Sequence, residues 1–164
     1  GRHGRLPPGE HRAPGQPAAP RPDGALGRGR RGDDMYVTGR LGGSIHGKPL
    51  DFTPRLREAE WLVNNSRITA MMDLSDGLAK DLPRLAQMSG VGFELNRDSL
   101  PRSEGSTLAQ AIDDGEDYEL LFTSSDDLKP AWDQKFPELE ITRIGTLIEG
   151  AGDSIEGGWD HFQR

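Results

Sequence analysis

Along residues 33–164, short apolar or alternating runs are interleaved with stretches whose apolar residues recur every three to four positions. The first pattern predicts β-strands, and the second predicts amphipathic helices. Strands are predicted at residues 35–38, 68–74, 91–95, 118–123 and 141–148. Helices are predicted at residues 54–63, 82–88, 108–112 and 126–136. Strands that alternate with helices indicate an α+β fold, in which helices pack on a mixed sheet.

The second predicted strand is apolar on both faces, which is typical of a central strand. Thr53 and Pro54 fit the N-cap and the first position of the helix before it. After the strand, Pro83 would break a helix from inside, so Asp81 is predicted as the N-cap of a helix that begins near Leu82. The first and last helices are expected to bury their apolar stripes and to expose charged residues such as Arg55. The stripe of the first helix is Leu56, Ala59, Leu62 and Val63, and that of the last helix is Leu128, Ala131, Trp132 and Phe136.

Composition divides the chain after residue 32. Residues 1–32 contain eight glycines, six prolines and seven arginines, but no Lys, Phe, Trp, Tyr or β-branched residue. A segment with so few apolar side chains cannot bury a core, so residues 1–32 are predicted to be disordered. Their composition is also what a GC-rich gene would give if it were read out of frame. Residues 33–164 are predicted to form one folded domain of ordinary size.

Charge and residue content exclude several classes of protein. Seven arginines and two acids give residues 1–32 a net charge of +5, so the folded part carries −12 of the chain's total of −7. Such an acidic body repels nucleic-acid backbones and suits divalent cations, so no nucleic-acid partner is expected. No apolar run approaches the roughly 20 residues that span a bilayer, so no membrane partner is expected either. The absence of cysteine fits the reducing cytoplasm.

The most informative motif is Asp73-Leu74-Ser75-Asp76-Gly77, at the carboxyl end of the second predicted strand. Ligand sites in open sheets with packed helices collect at such strand ends. Alternation along the strand places Asp73 and Ser75 on the same side, with Asp76 in the turn before the next helix. Two carboxylates and a hydroxyl suit Mg²⁺ that bridges polyphosphate oxygens. The alternative is structural, because Ser75 or Asp76 would also serve as a helix cap.

Three other segments carry chemically active residues, and each has a structural alternative. Residues 42–48 fit the G-x-x-x-x-G-K spacing of a phosphate loop, but Pro49 follows where a Ser or Thr is required, which favours an ordinary turn. Residues 113–119 contain five acids, which a solvated loop explains without any ligand. The aromatic residues of the tail at 159–162 either seal the edge of the core or stack on a planar ring.

Three motifs in this order and spacing resemble the carboxyl-terminal half of thiamine-monophosphate kinases: DLSDGL at residues 73–78, GEDYELLF at 115–122 and GWDHF at 158–162. The resemblance runs from about Gly32 to Phe162. It implies the carboxyl-terminal domain fold of the aminoimidazole-ribonucleotide synthetase superfamily. Members of the kinase family have two α/β domains and are usually homodimers built through the amino-terminal domain.

The resemblance also implies an activity and a site. The family transfers the γ-phosphoryl group of ATP to thiamine phosphate, with Mg²⁺, and the product is thiamine diphosphate. Carried over position by position, Asp73 and Asp76 match magnesium ligands, and Ser75 matches an ATP contact. Glu116 and Trp159 match contacts to thiamine phosphate.

The chain departs from the family at three places, one of which is the segment between Gly47 and Thr53, which is shorter than the helix often found there. Asp114 stands where the family usually has the first of two glycines before Glu-Asp-Tyr. Residues 1–32 hold no counterpart of the amino-terminal domain, which supplies most of the metal-binding aspartates. The resemblance therefore predicts an enzyme half that needs the other half. The alternatives are another member of the superfamily, such as a selenophosphate or aminoimidazole-ribonucleotide synthetase, or an inactive binding fragment.

Overall fold

The computed structural model describes residues 27–42, 55–113, 119–150 and 152, and it confirms the α+β class. The strands are β1 (Asp34–Thr38), β2 (Ile68–Asp73), β3 (Gly92–Leu95), β4 (Leu120–Ser124) and β5 (Ile141–Ile148). The helices are α1 (Leu56–Asn65), α2 (Leu78–Ser89), α3 (Leu108–Asp113) and α4 (Lys129–Lys135), with a 3₁₀ turn at Arg97–Ser99. Within the described ranges, no helix has the length and apolar character needed to cross a membrane.

The five described strands form one sheet in the order β2-β4-β1-β5-β3. Each of the four neighbouring pairs is antiparallel, so the parallel component expected of a mixed sheet is reduced to one isolated bridge between Leu41 and Arg102 in the described chain. The prediction that β2 is central was wrong, because β2 lies at an edge of this sheet. Its two-sided apolar pattern arises because both of its faces are covered, not because strands flank it on both sides.

Helices cover both faces of the sheet, and alternate strand residues supply two separate cores. On one face, Val37 and Leu121 pack with α2 and α3. On the other face, Tyr36 and Phe122 pack with α1 and α4. The second core is aromatic: Trp132 of α4 is fully buried, and its indole N–H donates to the carbonyl of Leu139 at 2.6 Å. The helices thus cover both faces of the sheet in a three-layer arrangement.

The predicted inward faces of α1 and α4 were partly wrong. Leu56 and Val63 of α1 are exposed, and the helix instead packs through Leu62, Ala59 and Trp61. Trp61 meets the rings of Trp132 and Phe136 edge to face, which turns the helix toward the aromatic core. On α4, Leu128, Trp132 and Phe136 are buried as predicted, whereas Ala131 is exposed.

The start of α2 also differs from the prediction. The helix begins at Leu78 after Gly77, whose φ of 98° is available to glycine, and Asp81 is therefore not its N-cap. The amides of Lys80 and Asp81 donate to the Gly77 carbonyl and close the first turn. Pro83 lies inside the helix, where it lacks the N–H that would bond to the preceding turn. Burial of Leu78, Leu82 and Leu85 on the same face of α2 offsets that loss.

Residues 27–32 belong to the folded body, although they were placed in the disordered segment. The amide of Arg28 donates to the Thr69 carbonyl at 3.0 Å, and the amide of Gly32 donates to the Leu147 carbonyl at 2.7 Å. Between them, the amide of buried Gly29 donates to Ser89 Oγ at 2.7 Å. The rest of the predicted disordered segment lies outside the described residues. The folded part therefore includes at least residues 27–32, which precede the predicted boundary. Composition could not show this, because these residues are held by backbone hydrogen bonds.

The packing of this segment is tested by Gly29→Ala, with Gly27→Ala as its control. A Cβ on Gly29 would overlap Cδ1 of Leu147 and lie 3.1 Å from Thr123 Oγ1, whereas a Cβ on Gly27 would meet nothing. We expect Gly29→Ala to lower the free energy of unfolding by about 1–3 kcal/mol. Chemical denaturation of both variants measures the difference. Equal stabilities would mean that residues 27–32 do not pack on the sheet in solution.

The aromatic core gives a pH-dependent prediction. Burial raises the pKa of the Tyr36 hydroxyl from 10.0 to about 12. The folded state therefore holds the Tyr36 proton more tightly than the unfolded state does. The resulting stabilisation of the fold is complete below pH 10 and is lost as the pH rises toward 12. We expect Tyr36→Phe to flatten the fall in stability over that alkaline range, as measured by denaturation at several pH values. An unchanged alkaline profile would contradict the assignment of the shift to Tyr36.

Candidate functional site at one end of the sheet

Antiparallel pairing brings the carboxyl ends of β1 and β2 to the amino end of β4. Asp73 at the end of β2 pairs with Leu120 at the start of β4, and Val37 of β1 pairs with Leu121. This end of the sheet therefore collects the residues that follow β1 and β2 and those that precede β4. The predicted site residues Asp73, Ser75 and Asp76 lie here.

The central polar group of this sheet end is the carboxylate of Glu119, which is 3 % exposed. Thr38 Oγ1 donates to Glu119 Oε1 at 2.7 Å, and the Leu120 amide in turn donates to Thr38 Oγ1 at 2.9 Å. A buried carboxylate is costly unless hydrogen bonds and a counter-charge compensate its lost hydration. The threonine hydroxyl supplies one of those hydrogen bonds and also satisfies the first amide of β4.

The counter-charge for Glu119 comes from Arg55, immediately before α1. Arg55 Nε donates to Oε1 at 2.9 Å, and Nη2 donates to Oε2 at 3.0 Å, so the guanidinium engages both carboxylate oxygens. The hydrogen bond to Glu119 raises the pKa of the Arg55 guanidinium, against the opposing effect of its partial burial. Such two-point pairing fixes orientation as well as charge. It joins the start of α1 to the start of β4.

Two features of the backbone depend on Glu119. Gly39 has a φ of 67°, and a Cβ at this position would overlap the Glu119 carboxylate, so both the conformation and the space require glycine. The Leu74 amide donates to the Glu119 carbonyl at 2.8 Å. Because Leu74 lies between Asp73 and Ser75, the backbone of Glu119 directly holds the segment that carries these two site residues.

The structure brings Asp73, Ser75 and Asp76 together on the surface of one turn, and all three are exposed. Leu74 between them is fully buried and anchors the turn to the core. The Asp76 carboxylate accepts a hydrogen bond from Arg84 of α2, and this contact lowers the pKa of Asp76. The Asp76 amide donates to Asp81 Oδ2 at 3.0 Å. Asp81 thus fixes this turn from inside α2 and does not act as the predicted cap.

These groups fit Mg²⁺ in type and form an incomplete ligand set. Carboxylate and hydroxyl oxygens are the hard donors that Mg²⁺ prefers. Across the described ranges, however, no group of three or more acidic, histidine or cysteine side chains is arranged to hold a metal ion. A magnesium ion bound to Asp73 and Asp76 would therefore take its remaining ligands from water, from substrate phosphates or from groups outside those ranges. Mg²⁺ ordinarily binds through one or two carboxylates and phosphate oxygens in this manner.

Two predicted substrate contacts, Glu116 and Trp159, lie outside the described residues. The same holds for the G-x-x-x-x-G-K segment beyond Gly42 and for the acidic segment between Asp113 and Glu119. Their predicted roles stay predictions.

Sequence reasoning missed the Glu119–Arg55 ion pair. Arg55 was assigned to the outer face of a helix, and Glu119 was counted among the acids of a solvated loop. One signal was present: Glu119 lies inside the predicted strand at 118–123, directly before the apolar run at 120–122. A buried acid needs a partner, but the partner lies 64 positions away, and local periodicity cannot identify it.

The described chain is thus an α+β domain with helices on both faces of one antiparallel sheet and an exposed, oxygen-rich turn at one end of that sheet. Residues 30–157 match the family described as AIR synthase related protein, C-terminal domain, and the chain belongs to that family. The thiamine-monophosphate kinase of Rhodopirellula baltica is 34% identical over 131 residues, which cover 74% of this chain and 42% of that protein.

Solved structures agree. The crystal structure of thiamine monophosphate kinase from Aquifex aeolicus gives a TM-score of 0.62 at 31% identity, covering 81% of this chain and 52% of that chain. A structure described as AaThiL complexed with AMPPCP and TMP gives a TM-score of 0.56 at 30% identity, covering 80% of this chain and 52% of that chain. The chain thus spans about half the length of the relatives it matches.

Removal of the buried charge tests the role of Glu119 in this sheet end. Glu119→Gln leaves the Arg55 guanidinium without its counter-charge, and we expect a loss of about 3 kcal/mol in the free energy of unfolding. Glu149→Gln is the matched control, because Glu149 pairs with Arg31 in a contact whose side chains are 77% and 70% exposed. We expect that control to stay within about 0.5 kcal/mol of the parent. Similar losses in the two variants would show that the buried Glu119–Arg55 pair stabilises the fold no more than an exposed ion pair does.

Proposed function

We propose that this chain is the carboxyl-terminal part of a thiamine-phosphate kinase, which transfers the γ-phosphoryl group of ATP to thiamine phosphate. The observation that carries this proposal is the exposed turn at Asp73, Ser75 and Asp76, held at one end of the sheet by buried Leu74. The resemblance to thiamine-monophosphate kinases, and the neighbour complexed with AMPPCP and TMP, support the assignment of its substrates.

The chemistry of such a transfer needs alignment and charge compensation rather than a nucleophilic side chain. Mg²⁺, when bound, would neutralise charge on the phosphate oxygens. In the proposed site Asp73 and Asp76 hold that ion, and Ser75 offers a hydroxyl to ATP. The backbone between Asp73 and Ser75 is held in place, because the Leu74 amide donates a hydrogen bond to the Glu119 carbonyl. Arg84 of α2 donates a hydrogen bond to the Asp76 carboxylate and lowers its pKa.

Glu116 and Trp159 complete the proposal as contacts to thiamine phosphate. A carboxylate and an indole suit the cationic, planar part of that substrate. This assignment rests on the motifs GEDYELLF and GWDHF in the sequence.

The proposed enzyme requires a second half. Because the chain covers only 52% of the Aquifex aeolicus kinase, we propose that the remaining phosphate and metal contacts, and the homodimer interface, come from an amino-terminal domain. We also propose that the reaction takes place in the cytoplasm, in keeping with a chain without cysteine.

A chimera tests the proposed function. The chain is fused behind the amino-terminal part of the Aquifex aeolicus kinase, and ADP release is measured with ATP, Mg²⁺ and thiamine phosphate. We expect turnover by the chimera and little turnover by the 164-residue chain alone.

Within the chimera, Asp73→Asn should lower kcat by about 100-fold or more, because it removes charge from the metal-binding turn. Asp133→Asn is the matched control, since Asp133 is an exposed acid of α4 that pairs with Lys129. Equal effects of the two substitutions would contradict the proposed metal site. A folded chimera that phosphorylates no thiamine phosphate would contradict the proposed substrate.

A further inference from the structure

Arg84 of α2 stands between two carboxylates beside the proposed metal-binding turn. Its Nη1 donates to Asp76 Oδ2 and, at 3.1 Å, to Asp81 Oδ1. Asp81 is 1 % exposed, whereas the side chains of Arg84 and Asp76 are about half exposed. The guanidinium is thus anchored on its buried side by Asp81 and meets Asp76 at the surface.

The Arg84 side chain is about half exposed and keeps further hydrogen-bonding capacity. Nη1 donates both of these bonds, and the Nε and Nη2 donors have no acceptor within the described part of the chain. A guanidinium presents its donors in a planar fork that matches phosphate oxygens. An exposed fork beside an oxygen-rich turn is therefore equipped for a polyphosphate.

The same position sets up a competition for Asp76. A cation that approaches Asp76 meets the positive charge of Arg84 on the same carboxylate, and like charges at this distance repel. A polyphosphate that arrives with the cation reverses this effect, because it gives Arg84 a new anionic partner.

We propose, on the basis of the proposed function, that Arg84 binds the phosphates of the nucleotide and serves as the counter-ion of Asp76 until metal and nucleotide arrive. When the cation takes Asp76, Arg84 stays attached to Asp81 and turns its free donors to the phosphate oxygens. Arg84 thereby opposes binding of a bare cation and favours binding of a cation together with polyphosphate.

This role predicts effects of opposite sign on two ligands. In the full chain carrying Arg84→Gln, we expect the Kd for Mn²⁺ alone to fall several-fold, measured from free Mn²⁺ by electron paramagnetic resonance. We expect the Kd for inorganic tripolyphosphate, measured by calorimetry at saturating Mn²⁺, to rise several-fold. Arg84→Lys should show smaller changes in both constants, because it keeps the charge and loses the fork.

Two further variants make the outcomes distinct. Arg31→Gln removes an arginine from an exposed ion pair beside the opposite end of the sheet and should change neither constant. Asp73→Asn should weaken Mn²⁺ binding several-fold. If Asp73→Asn has no effect, or if the parent chain binds no Mn²⁺ at millimolar concentration, the metal site of the proposed function is contradicted, and this inference falls with it.

If Asp73→Asn weakens Mn²⁺ binding but Arg84→Gln does not strengthen it, the proposed function stands and the role of Arg84 is overturned. A parallel loss of both ligands in Arg84→Gln, with a lowered Tm, would mark Arg84 as a structural residue and would equally overturn the inference.

Discussion

The arrangement of the sheet end depends on a buried negative charge. Glu119 opens the segment that enters β4, and its carboxylate is almost without solvent. Ionised carboxylates are stable in such surroundings only with a counter-charge and several hydrogen-bond donors. Arg55 and Thr38 meet that demand, and each comes from a different element of the fold. The ion pair therefore fixes the start of α1 and the end of β1 against the start of β4.

The site inherits its geometry from this constraint. The Glu119 carbonyl binds the Leu74 amide, so the turn after β2 is tied to the same residue that organises the rest of the sheet end. Asp73 and Ser75 flank that tie and point polar groups to the surface, while Leu74 enters the core. The buried Glu119 thus fixes the position of the exposed oxygens of Asp73 and Ser75. Fixed oxygens of this kind are what alignment of phosphates requires.

Periodicity in the sequence was sufficient for the positions of the strands and for the class of fold, since β5 was predicted with its observed bounds and the other strands within two residues at either end. It was insufficient for strand order. The apolar pattern of β2 is the same whether strands flank it or helices cover it, and only tertiary packing separates the two cases. Likewise, Val63 and Leu56 are as apolar as Leu62, but contact with the aromatic core selects Leu62.

Part of the candidate site could likewise be predicted from the sequence, and part could not. Asp73, Ser75 and Asp76 are close in sequence and follow a strand, so a local pattern is enough to find them. The pair of Arg55 and Glu119 links distant positions. The bond between Asp76 and Arg84 spans the first turns of α2, whose start at Leu78 is one that Pro83 argues against. Local rules fail where long-range charge pairing decides the structure.

The Arg55–Glu119 pair holds the turn that carries Asp73 and Ser75, through the bond from the Leu74 amide to the Glu119 carbonyl. Residue-resolved amide hydrogen exchange on the Arg55→Gln variant tests this role most directly. We expect the amides of Leu74 and Leu120, which bond to the Glu119 carbonyl and to Thr38 Oγ1, to lose protection well beyond the global loss of stability. The Leu147 amide, bonded to the Asp33 carbonyl at the opposite end of the sheet, should follow the global loss alone. Equal loss of protection at all three amides would contradict the claim.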